Sequence, residues 1–203
     1  KKGLISYSPA HVGAFLKSSP EIDLPDLQFV FTPASYTEGM IGKLQNIPGI
    51  TCGVWQSRPQ SRGYVRALST CIKDAPLIQP NYLKETIDQD VLIQGVKICR
   101  DLLKTSNMKK ISIKETLPGE NIKTDSEILN FVKNNGATVY HAIGSCRMGI
   151  DKDAVVDADL KLNGVENLRV ADASIMPTMP SGNTNAATLM IAEKASDLIK
   201  KDK

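Results

Sequence analysis

Residues 141–149 read His-Ala-Ile-Gly-Ser-Cys-Arg-Met-Gly, residues 168–177 read Leu-Arg-Val-Ala-Asp-Ala-Ser-Ile-Met-Pro, and residues 181–185 read Ser-Gly-Asn-Thr-Asn. These blocks bring a histidine, a strand-like run and a small polar loop into one short span. The apolar positions that follow recur at helical spacing, which predicts a helix from Asn185 to Lys200. The chain therefore ends in a strand–loop–helix pattern, and such a loop in an α/β layer presents ligand contacts.

The order and spacing of these blocks resemble the C-terminal signature of the glucose–methanol–choline (GMC) family of flavin-dependent alcohol oxidoreductases. In that signature an active-site histidine is followed by a small-residue loop with Arg-Met-Gly, and then by Asp-Ala-Ser-x-Met-Pro. A His or Asn in a Ser-Gly-Asn-Thr-Asn type loop comes next, and the final helix carries Ile-Ala-Glu-Lys-Ala, as residues 191–195 do here. The resemblance is to the choline and alcohol dehydrogenase branch and covers nearly the whole chain, more weakly before residue 54.

The composition is that of an ordinary globular protein, with 41% hydrophobic and 23% charged residues in a chain of 203. The net charge of +3 is scattered and aromatic residues are sparse, so nucleic acid is not a predicted partner. Four widely spaced cysteines without a C-x-x-C pair argue against a zinc site, and free thiols are predicted. No run of residues approaches the roughly 18 apolar positions of a membrane span.

Local patterns predict strands first and helices afterwards. Four β-prone runs bounded by turn residues predict strands at 10–16, 27–32, 50–56 and 64–69. The last two are predicted to pair in antiparallel fashion. Helical spacing predicts a helix over residues 86–103, with Thr86 or Asp88 as its cap. A second helix starts at the capping-box pattern Thr124-Asp-Ser-Glu127 and ends at Gly136.

The predicted fold class is therefore α+β. The resemblance implies that residues 1–140 form a substrate-binding domain, an antiparallel sheet with flanking helices. It implies that residues 141–203 supply the catalytic loop and the returning strand–loop–helix of an α/β FAD-binding domain. The strand of this segment is predicted at 168–171, and a short strand at 138–140 is predicted to deliver His141.

The candidate catalytic residues are His141 and Asn183. Alcohol oxidation needs a base for the hydroxyl proton and a redox cofactor for the hydride, because no ordinary side chain accepts a hydride. Histidine titrates near neutral pH, and the sequence has only two, His11 and His141. His11 lies in an apolar run without a motif and is interpreted as structural. An Asn183 amide can donate to the alcohol oxygen but cannot take its proton, which leaves His141 as the base.

The resemblance also implies a set of cofactor-binding residues near the flavin of FAD: Asp172, Ala173, Asn183, Thr184 and Asn185. The helix after Asn183 would aim its first N–H groups at the cofactor and favour an anionic reduced flavin. Two alternatives remain open at this stage. Asp172 could instead be a helix cap or turn residue, and Arg147 could be either an anion contact or a structural ion-pair partner.

The family's N-terminal phosphate-binding turn, G-x-G-x-x-G, is absent from the sequence. The chain also begins at Lys1 rather than Met, so we expect it to be a C-terminal fragment or a separately encoded half. It is expected to bind FAD poorly and to be inactive without the missing N-terminal FAD-binding portion. A cytoplasmic location is expected, with a peripheral membrane or quinone link left open.

The predicted function is FAD-dependent oxidation of choline or another primary alcohol. In that reaction His141 would deprotonate the hydroxyl, and the hydride would pass to flavin N5. Two alternatives stay open: a hydroxynitrile lyase-type GMC protein, which keeps FAD without using its redox chemistry, and a non-catalytic remnant that acts as an interaction module.

Overall fold

The computed structural model of the chain describes residue 8, residues 10–37 and residues 43–202. The chain divides into two compact units. The first contains residues 1–61 and 83–139, and the second contains residues 62–82 and 140–203. Each unit has its own cluster of buried apolar side chains.

The first unit contains a three-stranded antiparallel sheet in the order β1-β2-β3. The strands are β1 (Val12–Leu16), β2 (Leu27–Thr32) and β3 (Thr51–Gln56). They confirm the three predicted runs to within two residues at either end. Leu27 and Phe29 alternate along β2 and are fully buried, so one face of the sheet forms the core of this unit.

Two helices complete the first unit. Helix α1 (Thr86–Leu103) packs against β3 and against α2 (Asp125–Asn135). Both helices confirm the predicted spacing. At the start of α2, the Thr124 side chain accepts from the Glu127 N–H and the Glu127 carboxylate accepts from the Thr124 N–H, which is the predicted capping box. A single 3-10 turn, Met108–Lys110, lies between the two helices.

The predicted cap of α1 is wrong. The N-cap residue is Glu85, which makes no side-chain cap hydrogen bond. The Asp88 carboxylate, 2% exposed, instead accepts from the Gln60 N–H at 2.8 Å, the Ser61 N–H at 2.7 Å and Gln56 Nε2 at 2.9 Å. The loop after β3 offers three donors to this buried carboxylate, and a buried acceptor without partners is costly, so Asp88 bonds the loop rather than the end of its own helix.

The second unit contains a short antiparallel pair, β4 (Tyr64–Arg66) with β5 (Leu77–Gln79). The predicted pairing of residues 50–56 with 64–69 is therefore wrong, because β3 pairs with β2 instead. Helix α3 (Asn185–Lys201) ends the unit and confirms the predicted C-terminal helix. The core cluster of the second unit contains six buried side chains: Val156, Leu160, Ile175, Met176, Ile191 and Ala195.

Two further predicted strands are absent. Residues 168–171 form only a single bridge, Lys161 with Arg169, and the Val170 N–H donates to the Leu160 carbonyl at 3.1 Å. This local pairing satisfies backbone groups that an isolated strand would leave open. Residues 138–140 are irregular, and Tyr140 adopts a left-handed backbone instead of extending.

The mixture of antiparallel strands and helices confirms the α+β class. Among the helices in the described part of the chain, none has the length and apolar character needed to cross a lipid bilayer.

Candidate active site

The loop that carries His141 is fixed onto a neighbouring segment of the second unit. The Cys146 N–H donates to the Ser174 carbonyl at 3.0 Å, and the Met148 N–H donates to the Ile175 carbonyl at 2.8 Å. Tyr140 immediately precedes the histidine with φ +62°, an uncommon conformation for an aromatic residue. Such strained backbone is concentrated at functional sites, where the surrounding structure holds it in place.

Asn183 lies directly against the imidazole. Its Nδ2 is 2.9 Å from His141 Nε2, although the two residues are 42 positions apart in the chain. Ser181, two residues before it, is also left-handed with φ +64°. The two residues predicted from the signature are therefore brought together, and each follows closely on a left-handed residue.

Thr184 contacts the other nitrogen of the ring. Its Oγ1 is 3.2 Å from His141 Nδ1, and the residue is 9% exposed. Thr184 is the N-cap of α3, a position where a threonine hydroxyl usually accepts from the helix backbone, but it makes no such cap bond. Its hydroxyl is directed to the imidazole instead. The sequence assigned Thr184 to the cofactor only, since nothing in the motif indicates this contact.

These two contacts favour one tautomer of the imidazole. An amide nitrogen can only donate, so Asn183 Nδ2 requires His141 Nε2 to accept. In the neutral ring the single proton then lies on Nδ1, from which it is donated to Thr184 Oγ1. The lone pair of Nε2 therefore faces the amide, which is the arrangement a general base at Nε2 needs.

The start of α3 carries no negative charge of its own. There is no acidic residue in its first turn, no side-chain cap bond at Thr184, and Lys200 and Lys201 lie in its last turn. The first N–H groups of a helix carry partial positive charge that nothing inside the helix neutralises. Because α3 begins at Asn185, two residues after Asn183, this positive end adjoins the His141 site and suits an electron-rich or anionic group.

The remaining predicted residues lie in other surroundings. The Asp172 side chain accepts from the Ser174 N–H at 2.7 Å and caps the 3-10 turn Ala173–Ile175. Hydrogen bonds from the Ser174 hydroxyl and N–H lower the pKa of Asp172. Ala173 packs against the core of the second unit, and Asn185 is exposed as the first residue of α3.

Arg147 forms an ion pair with Asp151. Its two terminal nitrogens lie 2.8 Å and 2.7 Å from the two carboxylate oxygens. The guanidinium lowers the pKa of Asp151, and the carboxylate raises the pKa of Arg147. The structure thus favours the ion-pair interpretation of Arg147 over an anion contact.

Comparison with known proteins assigns this chain to a family. The sequence profile described as GMC oxidoreductase matches residues 59–192. The chain belongs to the GMC oxidoreductase family. GMC oxidoreductases are FAD flavoproteins, and the matched range contains the candidate residues His141, Asp172, Ala173, Asn183, Thr184 and Asn185.

Relatives in this family are similar over nearly the whole chain. An alcohol dehydrogenase (acceptor) of Pseudomonas putida is 42% identical over 98% of this chain and 36% of its own length. Human mitochondrial choline dehydrogenase is 41% identical over 93% of this chain and 32% of its own length. The crystal structure of pyridoxine 4-oxidase from Mesorbium loti matches with a TM-score of 0.84 and 28% identity, over 93% of this chain and 37% of that one. The chain thus spans about a third of the length of these GMC oxidoreductases.

Proposed function

We propose that this chain supplies the catalytic side chains for FAD-dependent oxidation of an alcohol. His141 is the general base and Asn183 is the hydrogen-bond donor to the alcohol oxygen. The observation that carries the proposal is the contact between His141 Nε2 and Asn183 Nδ2 at 2.9 Å. It joins one acceptor and one donor at the point where the family's histidine and asparagine are expected.

This pair is complementary to a hydroxyl group, which is itself one donor and one acceptor. On binding, the alcohol O–H replaces the amide as the donor to His141 Nε2, and the Asn183 amide donates to the alcohol oxygen. Both His141 Nε2 and the Asn183 amide therefore keep a hydrogen-bond partner when the substrate enters. As the carbon is oxidised, the proton moves to Nε2, and the amide stabilises the negative charge that develops on oxygen.

The residues around the pair suit a bound flavin. The uncapped start of α3 would favour the electron-rich ring through its first N–H groups, and Thr184 and Asn185 lie at that start. Asp172 and Ala173 would offer backbone rather than side chains, because the carboxylate is engaged by Ser174 and the methyl group by the core. When bound, FAD supplies the hydride acceptor, N5.

The substrate we propose is a small primary alcohol of the choline type. The relatives are named for oxidation of an alcohol, choline and pyridoxine. Residues 1–140 would contribute the substrate-binding domain and residues 141–203 the catalytic loop and part of the FAD-binding domain. Oxygen and a quinone both remain candidate electron acceptors, and a quinone would bring a peripheral membrane association with it.

The test is anaerobic mixing of the full-length, FAD-loaded protein with choline, pyridoxine and a simple aliphatic alcohol. At least one of them should bleach the flavin absorbance, because the hydride reduces the ring. Flavin that stays oxidised while a cyanohydrin is cleaved would indicate a lyase. Full-length protein that neither bleaches nor cleaves would indicate a non-catalytic module, and either outcome would contradict the proposal.

Thr184 should act as a positioning residue through the imidazole. Thr184→Val keeps the shape of the side chain but removes the acceptor for the Nδ1 proton, so the tautomer that leaves the Nε2 lone pair available as a base is less favoured. We expect kcat to fall by about tenfold, the value of one hydrogen bond, with KM changed little. Steady-state kinetics at several pH values measure this split.

Two further variants separate this role from packing. Thr184→Ser keeps the hydroxyl and should restore most of kcat. Thr188→Val is the matched control, because the Thr188 hydroxyl donates to the Thr184 carbonyl at 2.8 Å rather than to the ring. Equal losses in Thr184→Val and Thr188→Val would show that the hydroxyl acts only through the fold of the helix start.

A further inference from the structure

Two of the four free cysteines lie against each other in the first unit. Cys52 on β3 and Cys99 on α1 have their sulfur atoms 3.0 Å apart, although the residues are 47 positions apart in sequence. A disulfide bond is about 2.0 Å long, so a shift of about 1 Å would bring the two sulfurs to bonding distance. Neither residue takes part in the His141 site. We propose that Cys52 and Cys99 form a reversible disulfide site that covalently joins strand β3 to helix α1.

The fold brings the two thiols together through a close approach of helix and strand. Gly95 and Cys99 are four residues apart on α1 and therefore share a face, and Cys52 and Val54 share a face of β3. A Cβ added at Gly95 would lie 2.9 Å from Val54 Cγ2, closer than side chains tolerate. The missing side chain at Gly95 thus lets α1 settle onto Val54, and one turn further along the helix Cys99 meets Cys52.

The surroundings give the two sulfurs different roles. Cys99 is 8% exposed within the apolar cluster that includes Leu27 and Phe29, whereas Cys52 is half-buried on a strand at the edge of the sheet. The hydrogen bond with Cys99 lowers the pKa of the Cys52 thiol, and the same contact together with burial raises the pKa of Cys99. Cys52 is therefore the thiol that ionises first and that an oxidant reaches first.

The oxidant is a small disulfide such as oxidised glutathione. The Cys52 thiolate attacks one of its sulfurs, which forms a mixed disulfide and releases the first glutathione as a thiolate that takes up the Cys52 proton. Cys99 then loses its proton and attacks the Cys52 sulfur, which releases the second glutathione thiol and forms the Cys52–Cys99 bond. Two electrons and two protons pass from the protein dithiol to the two glutathione molecules, and a reducing thiol reverses the exchange.

The test is oxidation of the full-length protein with oxidised glutathione, followed by alkylation, trypsin digestion and mass spectrometry. Trypsin should place each cysteine of this region on a separate peptide, with Cys52 within residues 44–62 and Cys99 within residues 98–100. We expect these two peptides to be joined, with the loss of two hydrogen atoms. Peptides that carry only glutathione or only the alkylating group would overturn the proposal.

Thermal unfolding provides a second readout. Because the bond would close a long loop, oxidation should raise Tm by about 5–10 °C in the parent and in Cys71→Ser, whose cysteine is exposed. Cys52→Ser should abolish the oxidative rise while leaving the reduced protein folded, since Cys52 is the less buried of the pair. A rise that persists in Cys52→Ser would assign the effect to another thiol and contradict the site.

Discussion

Replacing His141 with asparagine in the full-length protein is expected to lower kcat/KM for the alcohol by about 10²- to 10⁴-fold, the usual contribution of a general base. The reason is geometric. His141 Nε2 faces the Asn183 amide at 2.9 Å, and in the described structure this nitrogen is the ring's acceptor. Asparagine keeps a polar side chain at the position but cannot hold the proton at neutral pH. Steady-state kinetics with the best alcohol from the bleaching test measure the loss.

The matched control is His11→Asn. His11 is the other histidine of the sequence, and it is an exposed residue directly before β1. This variant should retain activity within about twofold. FAD content and Tm of His141→Asn should match the parent, so that the loss reports chemistry rather than folding. If kcat/KM of His141→Asn stayed within a few-fold of the parent value, His141 would not be the base. The assignment of the chain to the GMC family would be unaffected.

The second large effect should arise in the first unit, at Asp88. Asp88→Ala leaves the Gln60 N–H, the Ser61 N–H and Gln56 Nε2 without their buried acceptor. We expect the free energy of unfolding to fall by about 3 kcal/mol, since hydrogen bonds to a charged group contribute roughly 1.5–3 kcal/mol each and the partly exposed donors regain water as a partner. Urea unfolding followed by circular dichroism measures the change, and Asp90→Ala, an exposed aspartate of the same helix, should change it by less than about 0.5 kcal/mol.

The stabilisation by Asp88 should also depend on pH. Burial alone would raise the pKa of Asp88, but the hydrogen bonds from Gln60, Ser61 and Gln56 outweigh it and hold the pKa below the ordinary value. A carboxylate whose pKa is lower in the folded state stabilises the fold above its unfolded pKa of about 3.9 and loses this effect as pH falls through the folded pKa. The stability difference between the parent and Asp88→Asn should therefore shrink between pH 5 and pH 2, and a constant difference would contradict the network.

The sequence predicted elements that depend on neighbours along the chain. Helix α1 has the predicted limits because its apolar spacing and its length are local properties, and the capping box at Thr124 depends on two residues three positions apart. The predicted pairing of β3 with residues 64–69 failed because the partner of a strand is chosen by distant packing. Leu27 and Phe29 of β2 bury completely against the core of the first unit, and this burial favours β2 as the neighbour of β3.

The sequence predicted the site residues that belong to a motif. It did not predict contacts that depend on the orientation of a side chain in the folded structure. The signature indicated His141 and Asn183, and the structure brings them into contact. It gave no indication that the Thr184 hydroxyl would bond the ring, because that depends on a helical backbone at the N-cap, φ −80° and ψ −11°. The same limit applies to Cys52 and Cys99, whose spacing of 47 residues carries no motif.

Residues 62–82 belong to the second unit and connect two segments of the first unit. Hydrogen bonds join the residues of the first unit that flank this connection. The Glu85 N–H donates to Ser61 Oγ at 3.1 Å, and the Ser61 N–H is held by Asp88 in the first turn of α1. When the two ends of a connecting segment are held together, lengthening the segment adds little to the entropic cost of closing it, because that cost rises only with the logarithm of the segment's length. A change in the length of residues 62–82 should therefore cost the first unit little stability, because Ser61, Glu85 and Asp88 hold the two chain ends together.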